Sequence, residues 1–571
     1  MIVGIDLGTT NSLIAVWREG RSQLIPNSLG EFLTPSCVSI DEDGSLLIGR
    51  AALERLQTHP DKSAAVFKRY MGSDRSIKLG KRNFRPEELS ALVLKSLRAD
   101  AEAFLGEPVT EAIITVPAYF SDAQRKATRA AGEIAGLRVE RLLNEPTAAA
   151  LAYGIHQGGN ETQFLVFDLG GGTFDVSILE LFEGVMEVRS TAGDNCLGGE
   201  DFVRAIVSHF VEHQKIPEKL QQDPAFAQQL IAMAERGKHA LSDASTTHLK
   251  IQHGDTLYAM ELEESQFETI CMPLLNRLRS PVERALRDAN IRSAELHNIV
   301  LAGGATRMPL VRRLATRMFG RFPSCDLNPD EVVALGAAVQ AGLKMKDAAL
   351  KEVVMTDVAP YSMGVEVVMR MGNAWSGGHF DPIIERNSPV PISRVKRYFP
   401  VNESQMQLEL NIFQGEARLS RDNIHLGRLQ VDLFQNRPGE SGVDVRFTYD
   451  VNGLLEVEAT VVSTGANRRL LIQENPGLLS DEEIKRRFSE LATLKIHPRD
   501  QAEHRTLLAR AERIFLQIKG DARQWLAQQI LAFEHALESQ DPRLIAQAKV
   551  HIREALDAIE RESFLHDDTT D

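Results

Sequence analysis

The chain has 571 residues, of which 43% are hydrophobic and 25% charged, and its formal net charge at pH 7 is −14. A chain of this length is expected to fold as several domains, and its negative charge argues against nucleic-acid binding, because phosphate contacts require clustered Lys and Arg. No apolar run is long enough to span a bilayer, and the first residues form no basic-then-apolar leader, so we expect a cytoplasmic protein without a membrane segment.

Four cysteines are spread over the sequence without the spacing of a metal site. We interpret them as free, mostly buried thiols in a reducing compartment. They are Cys37, Cys196, Cys271 and Cys325.

A short motif at the start of the chain returns in mid-chain. Residues 4–12 read Gly-Ile-Asp-Leu-Gly-Thr-Thr-Asn-Ser, and residues 166–176 read Val-Phe-Asp-Leu-Gly-Gly-Gly-Thr-Phe-Asp-Val. Each copy predicts an apolar strand, a Gly turn and a second strand. One such hairpin is weak evidence, because many hairpins contain Asp and Gly. Two copies in the same order favour phosphate binding over a pair of ordinary turns, and they predict a nucleotide-dependent protein.

The residue types of the two hairpins suit a metal–phosphate complex. Asp6 and Asp168 end the first strand of each copy, where two inward-facing carboxylates can hold Mg²⁺ directly or through its waters. Asp175 can add to that shell or orient a water. Gly turns expose backbone N–H groups to an anion, and threonines add hydroxyl donors. The predicted donors are Gly8, Thr9, Thr10, Gly170, Gly171, Gly172 and Thr173.

The first 350 residues alternate strand-like and helix-like segments, as α/β domains do. Residues 111–116 form an apolar strand that Pro117 ends, and Ser121 then caps a helix that ends at Gly136. Residues 299–309 again predict a strand, a Gly turn (Gly303, Gly304) and a helix start near which a nucleotide can lie. Arg307 can stack on a base; the alternative is a solvent-facing Arg.

The sequence pattern changes near residue 350. Before this point, residues 328–331, Asn-Pro-Asp-Glu, predict the start of the last helix of the α/β part, an Ala- and Gly-rich helix over 332–343. Residues 358–475 predict an antiparallel β domain with strands at 406–412 and 443–449, and a hairpin turn at Asn452-Gly453. From the capping box at 480–483 the period becomes helical. Three apolar stripes then predict a small helical bundle: Leu507, Ala511, Ile514 and Ile518; Leu526, Ile530, Phe533 and Leu537; Leu544, Ala548, Ile552 and Leu556.

Several stretches together resemble the DnaK-type heat shock protein 70 family of molecular chaperones. They are GIDLGTTNS, VPAYFSDAQR, NEPTAAALAYG, FDLGGGTFDVS, GGEDF and NPDEVVALGAAVQAG, in this order. The total length is more similar to the HscC-like branch. The resemblance implies a multidomain chain: an α/β actin-like ATPase domain with duplicated ribonuclease H-like lobes (1–350), a linker (351–357), a β-sandwich peptide-binding domain (358–476), a helical lid (477–562) and a disordered acidic tail (563–571).

The resemblance also implies roles for side chains in the ATPase domain. Lys68 matches the catalytic lysine, Glu145 the acid beside the Mg²⁺ and water site, and Thr173 and Asp175 positions near the γ-phosphate. Without the family, Lys68 would be one half of a solvated basic pair and Glu145 a helix-start acid. The implied cofactors are ATP or ADP with Mg²⁺, and K⁺ as an additional ion. Further nucleotide-binding positions are Asn11, Gly198, Gly199, Glu200, Glu235, Lys238, His239, Ser242, Ala305 and Asp330.

The same resemblance implies that nucleotide state reaches a peptide site. Thr356 stands in the linker where the family has an apolar residue, from which we expect looser coupling. The coupling positions are Pro117, Arg141, Val353, Val354 and Asp357. The peptide positions are Val365, Leu408 and Leu410 in a central pocket, Tyr398 or Phe399 near its floor, and Val368 and Val401 arching over the peptide. For Leu408 and Val365 the alternative is the core of the sandwich, since alternating apolar residues usually pack inside.

Partners follow from the resemblance and from two departures. The implied partners are an unfolded client polypeptide and a J-domain co-chaperone, with the chain itself a monomer. The stretch between Gly72 and Pro86 and the hairpin loop 253–255 are short, so we predict nucleotide release without a GrpE-type exchange factor. The alternatives on the same fold are a small-molecule kinase and an actin-like filament protein, and both leave the residues after 350 without a role.

Overall fold

The computed structural model describes residues 1–153, 162–182, 185–324, 326–347, 350, 354–371, 374–401, 405–433, 442–450, 453–472 and 502–567. The chain forms two compact units, Met1–Pro360 and Tyr361–Asp571. Within the described residues, no helix combines the length and the apolar character that crossing a bilayer requires. The predicted capping box at 480–483, Asn452, Val353 and Cys325 lie outside the described residues.

The first unit is a mixed α/β structure. Its strands are β1 (Ile2–Asp6), β2 (Asn11–Arg18), β3 (Arg21–Leu24), β4 (Thr34–Pro35), β5 (Cys37–Ile40), β6 (Leu46–Ile48), β7 (Ser63–Ala65), β8 (Ile77–Leu79), β9 (Arg82–Phe84), β10 (Glu111–Val116), β11 (Arg138–Asn144), β12 (Thr162–Leu169), β13 (Phe174–Phe182), β14 (Val185–Asp194), β15 (Thr246–His253), β16 (Thr256–Glu263), β17 (Asn298–Ala302) and β18 (Val354–Val358). Its helices are α1 (Arg50–Thr58), α2 (Pro86–Leu105), α3 (Asp122–Ile134), α4 (Glu145–Ala152), α5 (Gly199–Gln214), α6 (Glu218–Gln221), α7 (Pro224–Ala240), α8 (Glu264–Ala289), α9 (Pro309–Phe319) and α10 (Val332–Lys344).

Two sheets of the first unit repeat one pattern. The first runs β11-β10-β1-β2-β3 and the second β17-β12-β13-β14-β18. In each, a hairpin (β1–β2, β12–β13) is antiparallel, and the strand on its other side (β10, β17) is parallel to the first hairpin strand. We call the two halves the first and second lobe. The repeat places both Asp-Gly-Thr turns at equivalent sheet ends.

Helix α10 packs closely against its neighbours, as its Ala- and Gly-rich sequence predicts. A Cβ on Gly336 would lie 1.7 Å from the Ala148 carbonyl oxygen of α4. The helix predicted over 332–343 runs over Val332–Lys344, but Asn328 and Pro329, predicted as its cap and first helical residue, precede it. Residues 329–331 form a turn in which the Asn328 side chain accepts from the Asp330 N–H, and the helix begins at Val332.

The second unit holds a β-sandwich and a helical bundle. Its strands are β19 (Met363–Met371), β20 (Ala374–Ile384), β21 (Pro389–Val390), β22 (Ile392–Tyr398), β23 (Gln407–Gln414), β24 (Ile424–Asp432), β25 (Val443–Tyr449), β26 (Leu455–Val461) and β27 (Asn467–Leu471). The two sheets have the orders β20-β19-β23-β24 and β22-β25-β26-β27, and all the pairs within them are antiparallel.

In the described residues after the sandwich, three helices occur: α11 (Ala502–Gln517), α12 (Gly520–Ser539) and α13 (Pro542–Asp567). Their predicted apolar stripes meet in one core, with one correction: Leu544 is 49% exposed and Ile545 takes its place inside. Helix α13 continues to Asp567, so residues 563–567, predicted as a disordered tail, are helical. Leu565 is a good helix former, and the good helix formers Arg561 and Glu562 come directly before the stretch, so the helix continues through it.

A glutamine between α12 and α13 joins the bundle to the sandwich. The Gln540 side chain accepts a hydrogen bond from the Val395 N–H (3.2 Å) and donates one to the Val395 carbonyl oxygen (3.0 Å). Val395 lies on β22, an edge strand of its sheet, so these backbone groups would otherwise lack a strand partner. Beside them, Arg394 Nη2 lies 3.9 Å from Asp541 Oδ2.

Candidate functional site

The two Asp-Gly-Thr turns face one another in the first unit. The Thr10 hydroxyl of the first lobe donates to Glu200 Oε1 of the second at 3.5 Å. A Cβ on Gly171 would lie 2.0 Å from Thr10 Oγ1, so only glycine allows the two turns to come this close. The expectation that the hairpins oppose each other is confirmed.

A cleft of about 630 Å³ opens between the lobes at these turns. Most of the nucleotide positions predicted from the sequence line it. They are Asp6, Gly8, Thr9, Thr10, Asn11, Lys68, Glu145, Asp168, Gly170, Gly171, Thr173, Gly199, Glu200, Glu235, Lys238, His239, Ser242, Gly303, Gly304, Ala305, Arg307 and Asp330. Three predicted positions, Gly172, Gly198 and Asp175, lie behind this lining.

A buried ion pair lies in the cleft wall. Lys68, on the 3₁₀ turn Phe67–Tyr70, donates from Nζ to Glu145 Oε1 at 2.9 Å, and the two side chains are 4% and 10% exposed. Glu145 is the first residue of α4, where its charge also interacts favourably with the helix dipole. Lys68 Nζ lies 5.6 Å from the centre of the Phe120 ring. The lysine is therefore a buried cation beside the phosphate-type turns, not a solvated one.

Three aspartates lie around this pair: Asp168 and Asp175 are almost completely buried, and Asp6 is half-buried. Burial, and next the charge of Glu145, raise the pKa of Asp6 and the pKa of Asp175 to about 7, and they raise the pKa of Asp168 well above its usual range. Asp6 accepts from the Thr115 hydroxyl (3.0 Å), and Asp175 from the Tyr119 N–H (2.9 Å). Asp168 Oδ2 is buried without a hydrogen-bond partner among the described residues. In such a cluster the buried carboxyl groups outnumber the positive charges, so a bound cation would stabilise their ionised form.

These acids fit a hydrated divalent cation. Mg²⁺ commonly keeps several waters and takes one or two protein carboxylates together with substrate phosphates. The described residues contain no group of three His, Cys, Asp or Glu arranged to hold a metal by themselves. Asp6 and Asp168, with the open oxygen of Asp168, match the partial shell that Mg²⁺ needs.

The opposite end of the cleft is built from α7 and from the turn that follows β17. Arg307 is held by Asp330 (Nε–Oδ2, 2.7 Å) and by Asn328 (Nη2–Oδ1, 2.5 Å). The strand, Gly turn and helix start predicted over 299–309 are confirmed. Strand β17 ends at Ala302, a 3₁₀ turn spans Gly304–Arg307, and α9 begins at Pro309, a residue favoured at the first helical position.

Helix α7 brings charged groups to the same end. Partial desolvation in the cleft, and next the neighbouring Lys238, lower the pKa of His239, although its side chain is 70% exposed. Glu235, whose Oε1 lies 4.0 Å from His239 Nε2, has the opposing effect. Burial and Glu235 raise the pKa of Glu200. His239 is therefore favoured in its neutral form, which suits contact with an uncharged ring.

Sequence reasoning missed part of the lining. The sequence also provided no prediction of an ion pair between the lobes. The two terminal guanidinium nitrogens of Arg69, Nη1 and Nη2, donate hydrogen bonds to the two carboxylate oxygens of Asp201 in the first turn of α5. The one feature of the sequence that could have indicated this ion pair is the position of Arg69 directly after Lys68. The missed lining residues, mostly apolar and without a motif of their own, are Leu13, Leu33, Asp243, Met308, Arg312, Pro329 and Val333.

Residues 354–357 of the predicted linker form part of the second-lobe sheet. Strand β18 pairs in parallel with β14, with Met355 opposite Met186 and Thr356 opposite Glu187. The Asn144 side chain donates to Asp357 Oδ2 at 2.5 Å, and Asn144 is the residue before Glu145. A short path thus runs from the linker to the buried ion pair.

Two further coupling positions lie near Asp357 or on the path to it. Burial lowers the pKa of Arg141, and the carboxylate of Asp357 opposes this. Pro117 is buried and its carbonyl accepts from the Phe120 N–H at 3.2 Å. Val354 begins β18.

The predicted peptide positions separate into buried and open residues. Val365 and Leu410 are 0% and 3% exposed, so in this conformation they belong to the sandwich core. Leu408 is half-buried, whereas Val368 and Val401 are 42% and 45% exposed. The register of β19 shifts between Val367 and Met369, which lie opposite His379 and Ser376 of β20.

Tyr398 links the two sheets. Its hydroxyl donates to Asp381 Oδ2 at 2.8 Å, and Lys396 Nζ lies 2.7 Å from the other oxygen of that carboxylate. Burial and Asp381 raise the pKa of Tyr398. Asp381 is paired across the sheet with Val365, so this polar group lies beside the predicted pocket. Phe399, the alternative floor residue, is 60% exposed.

A comparison with protein-family models finds one family whose model matches residues of both units. The family model described as Hsp70 protein matches the chain over residues 2–79 and 75–568. The match covers almost the whole chain.

Proposed function

The chain belongs to the Hsp70 family of ATP-dependent chaperones, and on this premise we propose that its cleft binds and hydrolyses ATP to control a peptide site in the sandwich. The observation that carries the proposal is the pair of opposed Asp-Gly-Thr turns around the buried Lys68–Glu145 pair. We further propose the HscC-like branch, on the total length of 571 residues.

The residues of the cleft suggest how the phosphates are handled. Backbone N–H groups and hydroxyls of the two turns would receive the phosphate oxygens, and the Lys68 ammonium would lie at the terminal phosphate. Glu145 and Asp175 would orient the attacking water and accept its proton. Catalysis of this type depends on positioning and on stabilising charge that develops at the phosphoryl oxygens.

Asp6 and Asp168 would hold Mg²⁺, with K⁺ as an additional ion in the site. The metal would supply the positive charge that the acidic cluster lacks. When bound, it would favour the ionised form of both carboxyl groups, whose pKa values burial raises in its absence. Arg307, His239, Glu235, Lys238 and Ser242 would hold the base and ribose.

The nucleotide state would reach the peptide site through β18. With ATP in the cleft, the Asp357–Asn144 contact would hold the linker strand on β14 and the peptide would be released; after hydrolysis the linker would leave and the peptide would be retained. Arg141, Pro117, Val353 and Val354 would take part in this coupling. The clients would be extended apolar segments of unfolded protein, contacted by Val368, Val401 and Leu408, with Tyr398, Val365 and Leu410 behind them.

We also propose a J-domain co-chaperone as partner, a monomeric cytoplasmic chain, and nucleotide release without a GrpE-type exchange factor. An ADP-release assay tests the last point. A marked acceleration by such a factor would contradict it.

The central experiment measures peptide affinity in two nucleotide states. A dye-labelled apolar peptide is titrated with the full chain in Mg²⁺-ADP and in Mg²⁺-ATP, and a peptide with its apolar residues replaced by Ser serves as control. Coupling between two sites is typically worth about 5- to 150-fold, so we expect affinity to fall by at least about fivefold with ATP. Equal affinities in the two states would contradict the proposed cycle.

A further inference from the structure

The segment that carries Lys68 contains an unusual backbone conformation. Val66 has φ 58° and ψ 18°, in the left-handed region. Among the non-glycine residues of positive φ in the described part of the chain, it alone is β-branched. A branched side chain strongly disfavours this region, so the conformation is strained.

The strained residue changes the direction of the chain immediately before the turn that carries Lys68. Val66 follows β7 and precedes the 3₁₀ turn Phe67–Tyr70. After it, Phe67 enters the first-lobe core with 1% exposure, while Lys68 extends to Glu145 in the cleft. Because neighbouring side chains face opposite ways here, the backbone at 66 decides which of them reaches the cleft.

Packing on the far side of the turn holds it in place. Met71 is 2% exposed and accepts from the Ser90 hydroxyl at 3.4 Å. Gly72 has φ 71°, and a Cβ there would lie 2.7 Å from the Ala123 carbonyl carbon of α3. With Phe67 and Met71 anchored and Gly72 against α3, the surroundings over-determine the conformation of Val66, which is how strained residues persist at functional sites.

Other left-handed residues have an ordinary explanation that Val66 lacks. Lys215 and Asn290 end α5 and α8, where a left-handed residue commonly terminates a helix. Val66 instead precedes its turn and caps no helix C-terminus.

We propose that Val66 is a positioning residue for Lys68: its left-handed backbone directs the ammonium into the cleft, and the reaction requires this conformation, not the valine side chain. The inference rests on the proposed ATPase function, which it extends to a residue that does not line the cleft.

The test compares three variants of the full chain by steady-state ATP hydrolysis and thermal unfolding. Gly and Asn tolerate the left-handed region, so Val66→Asn and Val66→Gly should keep kcat within about twofold and unfold at a higher temperature than wild type. Proline fixes φ near about −65°, so Val66→Pro should lower kcat by at least about tenfold with KM for ATP unchanged. Ala65 is already in a strand, which a following proline permits.

Matched variants at Lys215, also left-handed with φ 49°, separate stability from positioning. Lys215→Gly and Lys215→Pro should change the unfolding temperature and leave kcat unchanged. Wild-type kcat in Val66→Pro would overturn the proposal, and so would a kcat in Val66→Asn and Val66→Gly that is as low as in Val66→Pro.

If Val66→Pro does not fold, the other two variants still decide. A higher unfolding temperature with unchanged kcat supports the proposal, and a lower unfolding temperature in both overturns it, because the native conformation would then not be strained. A wild-type protein without ATP hydrolysis would refute the proposed function itself. Its rate is measured first.

Discussion

The nucleotide cleft and the β-sandwich were predicted from the same sequence, yet their predicted residues fare differently. In the cleft, residues from distant segments meet as expected, among them Asp6, Lys68 and Asp168. In the sandwich, Val365 and Leu410 are core residues, and only part of the predicted pocket is open. The two regions differ because a buried charged residue has few structural roles other than binding, whereas a buried Val or Leu can simply belong to a hydrophobic core.

Buried charge has few purposes, whereas buried Val and Leu have an ordinary one. Taking an unpaired carboxylate out of water costs several kcal/mol, so a cluster of buried acids beside Gly turns indicates a bound cation or ligand. An apolar side chain gains about 1.5–3 kcal/mol in any core.

Removing the lysine should have the largest effect. Lys68→Ala deletes the buried cation next to Glu145, and losing one preorganised charge-stabilising donor typically costs about 100- to 1,000-fold in kcat. Steady-state ATP hydrolysis measures the loss. Lys78→Ala, an exposed lysine on β8, is the matched control. A normal rate in Lys68→Ala would show that the buried pair is structural, like the valines of the sandwich.

The acidic cluster should make the nucleotide-free protein sensitive to pH. The pKa of Asp6 is raised to about 7 in the folded state from 3.8, so the folded chain binds more protons than the unfolded chain between these values. Its stability should therefore fall as pH rises from about 4 to about 7, and a tenfold change in proton affinity is worth about 1.4 kcal/mol. Asp6→Asn removes the ionisation, so without metal the free energy of unfolding of the variant should exceed that of wild type by up to about 4 kcal/mol at pH 8.

Urea unfolding in chelator at pH 5 and pH 8 measures this difference, which should shrink at pH 5. Asp43 provides a control of opposite sign, because hydrogen bonds from Ser45 lower the pKa of its exposed carboxyl. Asp43→Asn should therefore not gain stability at pH 8. The absence of any gain in Asp6→Asn would mean that the carboxyl is solvated, which would weaken the case for a metal site.

The parts of the fold that the sequence could predict are those set by local rules. The two turns, the strand 111–116 and the helix capped by Ser121 follow from Gly, Asp, Pro and Ser at fixed positions, and the structure confirms them. The contacts Thr10–Glu200 and Asn144–Asp357 could not be predicted, because they join residues 190 and 213 positions apart through tertiary packing. Leu544 and Ile545 show the remaining limit: with two adjacent apolar residues, the sequence leaves open which one faces the core.

Paired variants separate core from surface in the sandwich. Val365→Ala should lower the free energy of unfolding of the second unit by about 2 kcal/mol, because it leaves a cavity in a closed core. Val368→Ala, at a side chain 42% exposed, should change stability by less than about 0.5 kcal/mol and should weaken peptide binding. Urea unfolding and the peptide titration measure the two effects. If Val365→Ala lowered peptide affinity without lowering stability, Val365 would belong to the peptide pocket and not to the core.

The linker strand should be strengthened by removing one hydroxyl. Thr356 Oγ1 is buried without a hydrogen-bond partner among the described residues, and such a group costs about 1 kcal/mol or more. Thr356→Val keeps the shape and removes the group, so it should slow local opening of residues 354–358 by about fivefold, as read by hydrogen exchange. Thr356→Ser keeps the hydroxyl and should show no slowing. Equal exchange in wild type and Thr356→Val would mean that water satisfies this group.

The smallest expected effect concerns the contact that joins the helical bundle to the sandwich. Gln540 is left-handed, with φ 55°, so Gln540→Asn keeps a residue that tolerates this backbone while shortening the amide that bonds both backbone groups of Val395. Partly exposed hydrogen bonds are worth about 0.5–1.5 kcal/mol, and we expect exchange of the Val395 amide to speed up about two- to fivefold. Gln430→Asn, on the outer strand β24, should leave that amide unchanged. Because Val395 is on an edge strand, an unchanged rate in Gln540→Asn would mean that another group covers this edge; a faster rate that is lost when peptide is bound would tie bundle docking to the peptide site.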